Sequence, residues 1–369
     1  MPNTPTVLHV TLASDAGGLS RYIIDVGLEI RRLGWRVAVA GDAGAWHDKF
    51  LASGLEFIDI PLKGGVIGFQ RSKKILRDWQ RANGPIHLLH THYRRATRLA
   101  RKLQIGQTPP ILYTLHLSHL NVSGWRRLVS DFGDHCHIAS EDARHWLVHD
   151  ARVDTSRVHC IPHGIAIEKW PITTPAMRAV ARRALHLSDD TTVALFVGRL
   201  DEQKQPNWFV DAGLEIIKAN PRARFILVGD GPDRAVLEST IGNRKSEIQI
   251  LGERDPLQAY QAADLLVSCS WREGFGYAPA EALCTGLPVL RTRTSGTHET
   301  IVENVTGRSV RIDKPDFVAA CREMLGNRDS LRAMAPACAA HAREHLRFDQ
   351  QIHRTLALYQ SIATLNGRS

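Results

Sequence analysis

Ser270–Pro288 reads SWREGFGYAPAEALCTGLP, and its punctuation sets the local architecture. Gly274 and Gly276 flank Phe275, so the backbone there can turn sharply and let a ligand come close. Pro279 suits the first turn of a helix read over Ala280–Cys284, and Gly286-Leu287-Pro288 ends it. Glu273 is thus offered from a loop and Glu281 from the first turn of a helix. Both are acceptor-only groups, and on rigid supports they suit adjacent parts of a polyhydroxylated ligand. A solvated acidic pair beside a turn has the same spacing, so the surroundings must decide.

Outward from this stretch, short apolar strands alternate with amphipathic helices, the pattern of parallel α/β sheets. In the first half, strands read at Val7–Thr11, Arg36–Ala40, Phe57–Ile60, His87–His90, Ile111–Thr114, Cys136–Ala139 and Val158–Ile161. A turn at Gly17-Gly18 precedes a helix from Leu19 to Leu33. The cycle restarts at Thr192–Val197 and continues through Phe225–Val228, Ile248–Leu251, Leu265–Ser268 and Pro288–Arg291. Pro162–Pro175 has little periodicity and reads as a connection. The tail, Phe348–Ala363, carries a helical apolar stripe that must pack on something. The expected domains are 1–165, 166–345 and a C-terminal helix over 346–369. Neither half carries G-x-G-x-x-G after its first strand, which disfavours a dinucleotide-dependent dehydrogenase.

At 369 residues the chain is long enough for two cores, and its 43% hydrophobic and 23% charged content is that of a soluble globular protein. No apolar run is long enough to span a bilayer, and the N-terminus lacks the basic and apolar regions of a secretory signal. The cysteines are dispersed through apolar segments, which fits reduced core thiols in a cytoplasmic protein. The net charge of +9 is uneven: Lys63–Lys102 holds 11 basic residues against the single acid Asp78. That concentration points to an anionic partner. Gln70–Arg81 reads as an amphipathic helix with Ile75, Leu76 and Trp79 on one face. Such a helix can lie on an anionic membrane with its tryptophan near the headgroups, or pack on the core with a wet basic back. Arg94, Arg95, Arg98, Arg101, Lys102 and Arg126-Arg127 add to the basic character. Nucleic acid is not indicated, since no aromatic-interleaved platform or DNA-binding motif accompanies it.

The loop leaving Thr192–Val197 carries Arg199 and Lys204. Arginine forks two phosphate oxygens and lysine adds a compact charge, as a departing diphosphate requires. Gly17-Gly18 and Ser295-Gly296-Thr297 each open a helix whose N–H groups can meet an anion. His116 ends a first-half strand, where it can donate to a sugar hydroxyl or serve the core. His90 and His92 invite a metal reading, but no third ligand follows at suitable spacing. No Asp-x-Asp ends a strand either, so no metal is called for.

Taken together these elements resemble the retaining glycosyltransferases of the GT-B fold, specifically glycosyltransferase family 4. The resemblance rests on AGGLSRYIIDVGLEIRRLGWRV, the segment Thr114–His119, IPHGI at 161–165, VGRLDEQK at 197–204 and VGDGP at 228–232. It continues through LGERDPLQAYQAADLLVSCS at 251–270, EGFGYAPAE at 273–281 and SGTHETI at 295–301. It implies two Rossmann-like domains facing across a cleft, with the C-terminal helix crossing back to the N-terminal one. It also implies an enzyme that moves a sugar from a nucleotide-diphosphate donor, without a metal, to a carbohydrate or lipid-linked acceptor. In that pattern Arg199 and Lys204 hold the diphosphate, Glu281 the ribose and Glu273 the sugar, with Gly274, Phe275 and Gly276 beside it. His116 lies on the sugar's other side. Gly18 lets the first helix approach the phosphates, Gly296 does likewise near the sugar, and backbone near Arg254 faces the base. The chain departs from the family at His163-Gly164-Ile165 (usually Asn-Gly), at Lys204-Gln205 (often Lys-Gly) and at Ser295 (usually Gly). A nucleotide-sugar epimerase or phosphorylase of the same fold is the alternative, and a non-catalytic basic membrane-binding module is a more distant one.

Overall fold

A computed structural model describes residues 4–14, 17–103, 109–123 and 130–365. The chain divides into two units, Met1–Pro162 with Asp349–Ser369, and His163–Phe348.

Among the described residues of the first unit, seven parallel strands stand in the order β3-β2-β1-β4-β5-β6-β7. They are β1 (Thr6–Ala13), β2 (Arg36–Asp42), β3 (Glu56–Asp59), β4 (Leu88–Thr91), β5 (Ile111–Leu115), β6 (His135–Ile138) and β7 (Val158–Cys160). Between them run α1 (Gly18–Arg32), α2 (His47–Ala52), α3 (Gly65–Asn83), α4 (Arg94–Arg101) and α5 (Glu141–His149). Side chains alternate across a strand, so the two sheet faces have separate compositions. One face is an ordinary core in which Leu8, Val10, Leu89, Leu99 and Ile111 pack together. The other carries His9, His90 and His92, laterally aligned because His9 of β1 pairs in register with His90 of β4.

The second unit repeats the architecture with six parallel strands in the order β10-β9-β8-β11-β12-β13. These are β8 (Thr192–Val197), β9 (Ala223–Val228), β10 (Ile248–Ile250), β11 (Leu265–Ser268), β12 (Val289–Thr292) and β13 (Gly307–Val310). Its helices are α6 (Pro175–Ala184), α7 (Pro206–Ala219), α8 (Arg234–Ile241), α9 (Leu257–Ala262) and α10 (Tyr277–Thr285). They continue with α11 (Thr297–Thr300), α12 (Lys314–Leu325), α13 (Arg328–Ala333) and α14 (Ala335–His345). Phe196, Phe209, Phe225 and Phe317 fill the core between sheet and helices. The alternation read from sequence ends at β12, and β13 with α12–α14 extends it.

The tail forms α15 (Phe348–Leu365), and its stripe packs on the first unit. Tyr359 meets Trp35 edge to face at 5.6 Å and bonds His90 at 2.5 Å, so the tail helix crosses back as the family pattern implies. The six cysteines are free, and five of them are buried. Burial pushes the Cys136, Cys321 and Cys338 thiols up to about 12, so they behave as core side chains.

One reading of a helix is corrected, and an alternative left open for another is decided. The helix after the glycine loop starts at Tyr277, not Ala280, so Glu281 lies in its second turn. The basic helix extends over Gly65–Asn83, and its Trp79 does not face outward. The Trp79 indole N–H donates to Glu56 at 2.6 Å while Arg36 covers the ring at 5.2 Å. This tryptophan is therefore a core anchor, which removes it from any membrane-facing role.

Candidate active site

In open α/β sheets, ligand groups collect where the strand order reverses. In the second unit that point lies between β8 and β11, and the loops leaving these strands carry Lys204 and Glu273. The Lys204 ammonium donates to the Glu273 carboxylate across the crevice, with side chains only 24% and 13% exposed. Burial alone would raise the Glu273 pKa. The charge and hydrogen bond of Lys204, the charge of Arg291 and the Gly274 N–H outweigh it and hold the carboxylate below its usual range. Glu273 is therefore an anion at neutral pH, unfit to act as an acid. Arg199 is not part of this pair: it is half-exposed and bonded to Asp201 at 2.6 Å. Asp201 also accepts the Lys204 backbone N–H at 3.1 Å, which fixes the turn. The next residue, Gln205, has φ +53°, a left-handed conformation. The family's frequent glycine at this position adopts it without the cost a side chain brings.

Arg291, at the end of β12, organises the two glycine loops, and the sequence reading passed over it as a strand residue. It is 1% exposed and donates to the carbonyls of Phe275 (3.2 Å), Ser295 (3.3 Å) and Gly296 (3.1 Å). It donates further to the hydroxyls of Thr300 (2.7 Å) and Thr294 (2.9 Å). Burial pushes its pKa down to about 10, against the pull of Glu273 and Glu299, so it stays a cation. The only outward signal was an arginine inside an apolar run, PVLRT. The loops must also touch closely: a Cβ at Gly296, φ +77°, would lie 2.6 Å from the Phe275 backbone. His163, where the family has asparagine, is buried beside Phe275 at 5.5 Å and stacks on Tyr277 at 6.0 Å. It too belongs to this loop cluster.

Glu281 is 3% exposed on α10, and Tyr260 of α9 donates its hydroxyl to Glu281 Oε2 at 2.8 Å. Tyr260 is a second residue that sequence reasoning missed, because its role appears only when α9 and α10 pack. Arg254 stays exposed on the loop after β10, where Gly229 N–H bonds the Gly252 carbonyl at 2.9 Å.

In the first unit, Gly18 is the first residue of α1, and Gly17 before it has φ +138°. Gly17 supplies no side-chain cap to α1 and its first turn holds no acid, so the positive end of the helix dipole lies at Gly18. His116 follows β5 and is half-buried. Its Nε2 lies 3.0 Å from His92 Nδ1, and His92 Nε2 lies 3.0 Å from His9 Nδ1. Where sequence spacing supplied no third partner for His90 and His92, the parallel register brings His9, with one nitrogen of each within 4.8 Å. His90 already bonds Tyr359 at 2.5 Å and Thr114 at 2.6 Å. Burial pushes the pKa of His9 down to about 3 and of His137 to about 4, and moves His90 and His92 well below the usual value. His116 is likewise lowered to about 3, first by burial and then by His137. All five are neutral at physiological pH.

This architecture, two parallel sheets with a buried cation–carboxylate pair at the switch point of the second, defines a GT-B transferase. The family model "Glycosyltransferase Family 4" matches residues 16–169, and "Glycosyl transferases group 1" matches 191–327. A D-inositol 3-phosphate glycosyltransferase of Nocardia farcinica is 26% identical, over 92% of this chain and 86% of its own length. The structure of HepE from Anabaena in complex with UDP-glucose superposes with a TM-score of 0.80 at 20% identity, covering 96% of this chain and 99% of that one. WaaG, a glycosyltransferase involved in lipopolysaccharide biosynthesis, superposes with a TM-score of 0.73 at 15% identity, covering 98% and 100%. The chain belongs to the GT1/GT4 superfamily of GT-B glycosyltransferases. It is a retaining-type enzyme that takes its sugar from a nucleotide-diphosphate donor.

Proposed function

We propose that this enzyme transfers a hexose from a nucleotide-diphosphate sugar to an anionic acceptor, lipid-linked or polysaccharide, in cell-envelope glycan synthesis. The observation that carries the reading is the buried Lys204–Glu273 pair, with Glu281 fixed by Tyr260 on the neighbouring helix. In this reading the sugar–phosphate bond breaks first, and the bonding electrons leave with the diphosphate. Lys204 and Arg199 stabilise that growing negative charge, helped by the helix starts at Gly18 and Gly296. Each cation has a carboxylate partner to exchange for phosphate, Glu273 for Lys204 and Asp201 for Arg199. Glu273, released from Lys204, turns to the sugar hydroxyls between Gly274, Phe275 and Gly276. The acceptor hydroxyl then attacks the same face and gives its proton to a leaving phosphate oxygen. Glu281 binds the ribose, backbone near Arg254 faces the base, and His116 serves the sugar.

A thermal-shift panel of UDP-, GDP- and ADP-sugars tests this reading, starting with UDP-glucose because HepE holds it. The matching donor is expected to raise Tm. Glu281→Gln, which keeps a partner for Tyr260 but loses the charge, is expected to weaken donor binding at least about tenfold, the loss typical of one charge-assisted hydrogen bond. Wild-type affinity in that variant would remove Glu281 from the ribose. D-Inositol 3-phosphate, the acceptor in the relative's name, is the first small acceptor to try.

The acceptor's carrier is addressed by α3. Val66 and Ile67 are 79% and 69% exposed at its start, near exposed Lys63, Arg71 and Lys74. Arg101, by contrast, is neutralised by Asp131 and Asp134, so part of the basic run is internal. Arg126-Arg127 lies outside the described residues. Among the described residues no helix is long and apolar enough to cross a membrane. An exposed apolar pair flanked in sequence by exposed cations suits peripheral contact with an anionic bilayer. Binding to phosphatidylglycerol vesicles at low salt is expected, with loss in a Val66→Asp/Ile67→Asp variant. Equal binding by that variant would exclude this surface.

A further inference from the structure

The strands of the second sheet are parallel, so their first residues line one end of it, opposite the end whose loops carry Lys204 and Glu273. At that N-terminal end a cavity of about 580 Å³ opens between α6, α9, α13 and the turn before β12. Its volume is that of a small-molecule site. Ile172, Pro175, Tyr260, Leu287 and Leu331 give it apolar walls, and Arg178, Arg182, Arg328 and Arg332 line it as well. Asp264, immediately before β11, is the acid on which three of these arginines converge. Its fully buried carboxylate accepts from Arg178 at 2.6 Å, Arg328 at 3.0 Å and Arg182 at 3.5 Å, and from the Val193 N–H at 2.9 Å. The other acid of the lining, Asp189, is exposed and gives Arg328 its backbone carbonyl at 2.6 Å. Four cations therefore share two acids.

Hydrogen-bond acceptors are short as well as negative charge. Arg182 donates to the carbonyls of Ala262 (2.9 Å), Ser188 (2.7 Å) and Thr191 (2.6 Å). Its Nε nevertheless has no partner, and neither do Arg328 Nη2 and Thr173 Oγ1 of the same lining. Buried donors left unmade are costly, and charged ones most of all. Burial first, and the neighbouring arginines after it, push the Arg178 pKa down to about 10 against the pull of Asp264. An oxyanion brings charge and acceptors together. Arg178 and Arg328 keep 22% and 18% of their side chains exposed, and Arg332 is exposed on α13, so these three meet an incoming group. We propose that this cavity binds a small amphipathic oxyanion, with its carboxylate or phosphate among Arg178, Arg328 and Arg332 and its apolar body against Ile172, Leu287 and Leu331. Ile172 leaves 47% of its surface to solvent, and that is surface the body covers. The site is separate from the donor loops, which leave the opposite end of the sheet.

Calorimetric titration of the full chain with hexyl phosphate, hexanoate, inorganic phosphate and hexanol tests the site. At least one of the two amphiphiles is expected to bind with one-to-one stoichiometry, and the tighter of them names the headgroup. It is expected to bind at least about tenfold more tightly than inorganic phosphate, through burial of its methylenes, and more tightly than hexanol, through its charge. Arg332→Glu is an exposed change that leaves the three bonds to Asp264 intact, so the variant should fold. It is expected to weaken binding at least about tenfold, the loss of one charge-assisted contact. Lys204→Met, at the other end of the sheet, is expected to leave binding unchanged. The proposal is overturned if neither amphiphile gives heat at millimolar concentration, or if inorganic phosphate binds as tightly as hexyl phosphate and hexanoate. Wild-type affinity in folded Arg332→Glu overturns it too. Loss of binding in Lys204→Met would place the anion at the donor loops and overturn it likewise.

Discussion

Lys204→Met is expected to lower kcat by about 10²–10³, the usual cost of removing one preorganised group that stabilises charge in the transition state. The lysine meets that description because its ammonium is largely buried at the switch point of the second sheet and held by Glu273. Removing one partner of a buried pair typically costs about 3–5 kcal/mol of stability, because the other charge is left without compensation. Here the cost falls at the low end, since Arg291 lies close enough to lower the Glu273 pKa and remains as a counter-charge. The variant should therefore fold, with a reduced Tm that the double variant Lys204→Met/Glu273→Gln partly recovers. Steady-state kinetics beside thermal denaturation separates the two effects. A kcat within fivefold of wild type in folded protein would show that Lys204 does not carry the leaving-group charge.

Much of the fold was legible because its determinants are local. Short apolar runs bounded by glycine and proline mark strands whether or not their partners are known. Thus Thr192–Val197 and Leu265–Ser268 match the structure to the residue. The loop geometry of the site was legible for the same reason: Gly276 and Gly296 take left-handed conformations that sequence punctuation announces. What was not legible lies between distant segments. Nothing in the sequence joins His9 to His92 until parallel pairing of β1 and β4 closes a gap of 83 residues. Tyr260 becomes the partner of Glu281 only when two helices pack, and Arg291 finds five acceptors only when two loops converge. The side on which Trp79 lies stayed open because an amphipathic pattern states that a face is apolar, not what covers it. Glu56, on a different strand, decided that.

The same histidines that escaped the sequence make the first unit acid-labile. His9, His90, His92 and His137 are each at most 2% exposed, and burial is the first cause of every one of their lowered pKa values. In the unfolded chain they titrate near 6.5, whereas in the folded one His9 and His137 titrate at about 3 and 4. The unfolded state therefore binds more protons between these limits, and stability must fall as pH drops below 6.5, being fully present only above it. Near pH 5 each buried imidazole takes up about one proton on unfolding, worth about 1.4 kcal/mol per pH unit. Four of them give a slope of roughly 5 kcal/mol per pH unit, enough to consume the typical 5–15 kcal/mol of a domain within about two units. Cooperative unfolding of the first unit is thus expected between about pH 4.5 and 5.5. The fluorescence of Trp35, which packs on Tyr359 beside His90, should report it. Denaturant titrations at stepped pH give the proton uptake, and His90→Gln should reduce it by about one. Stability that stays flat from pH 7 to 5 would mean that the imidazoles gain protons without unfolding, which a face with four buried rings and an orphaned nitrogen has no room to allow.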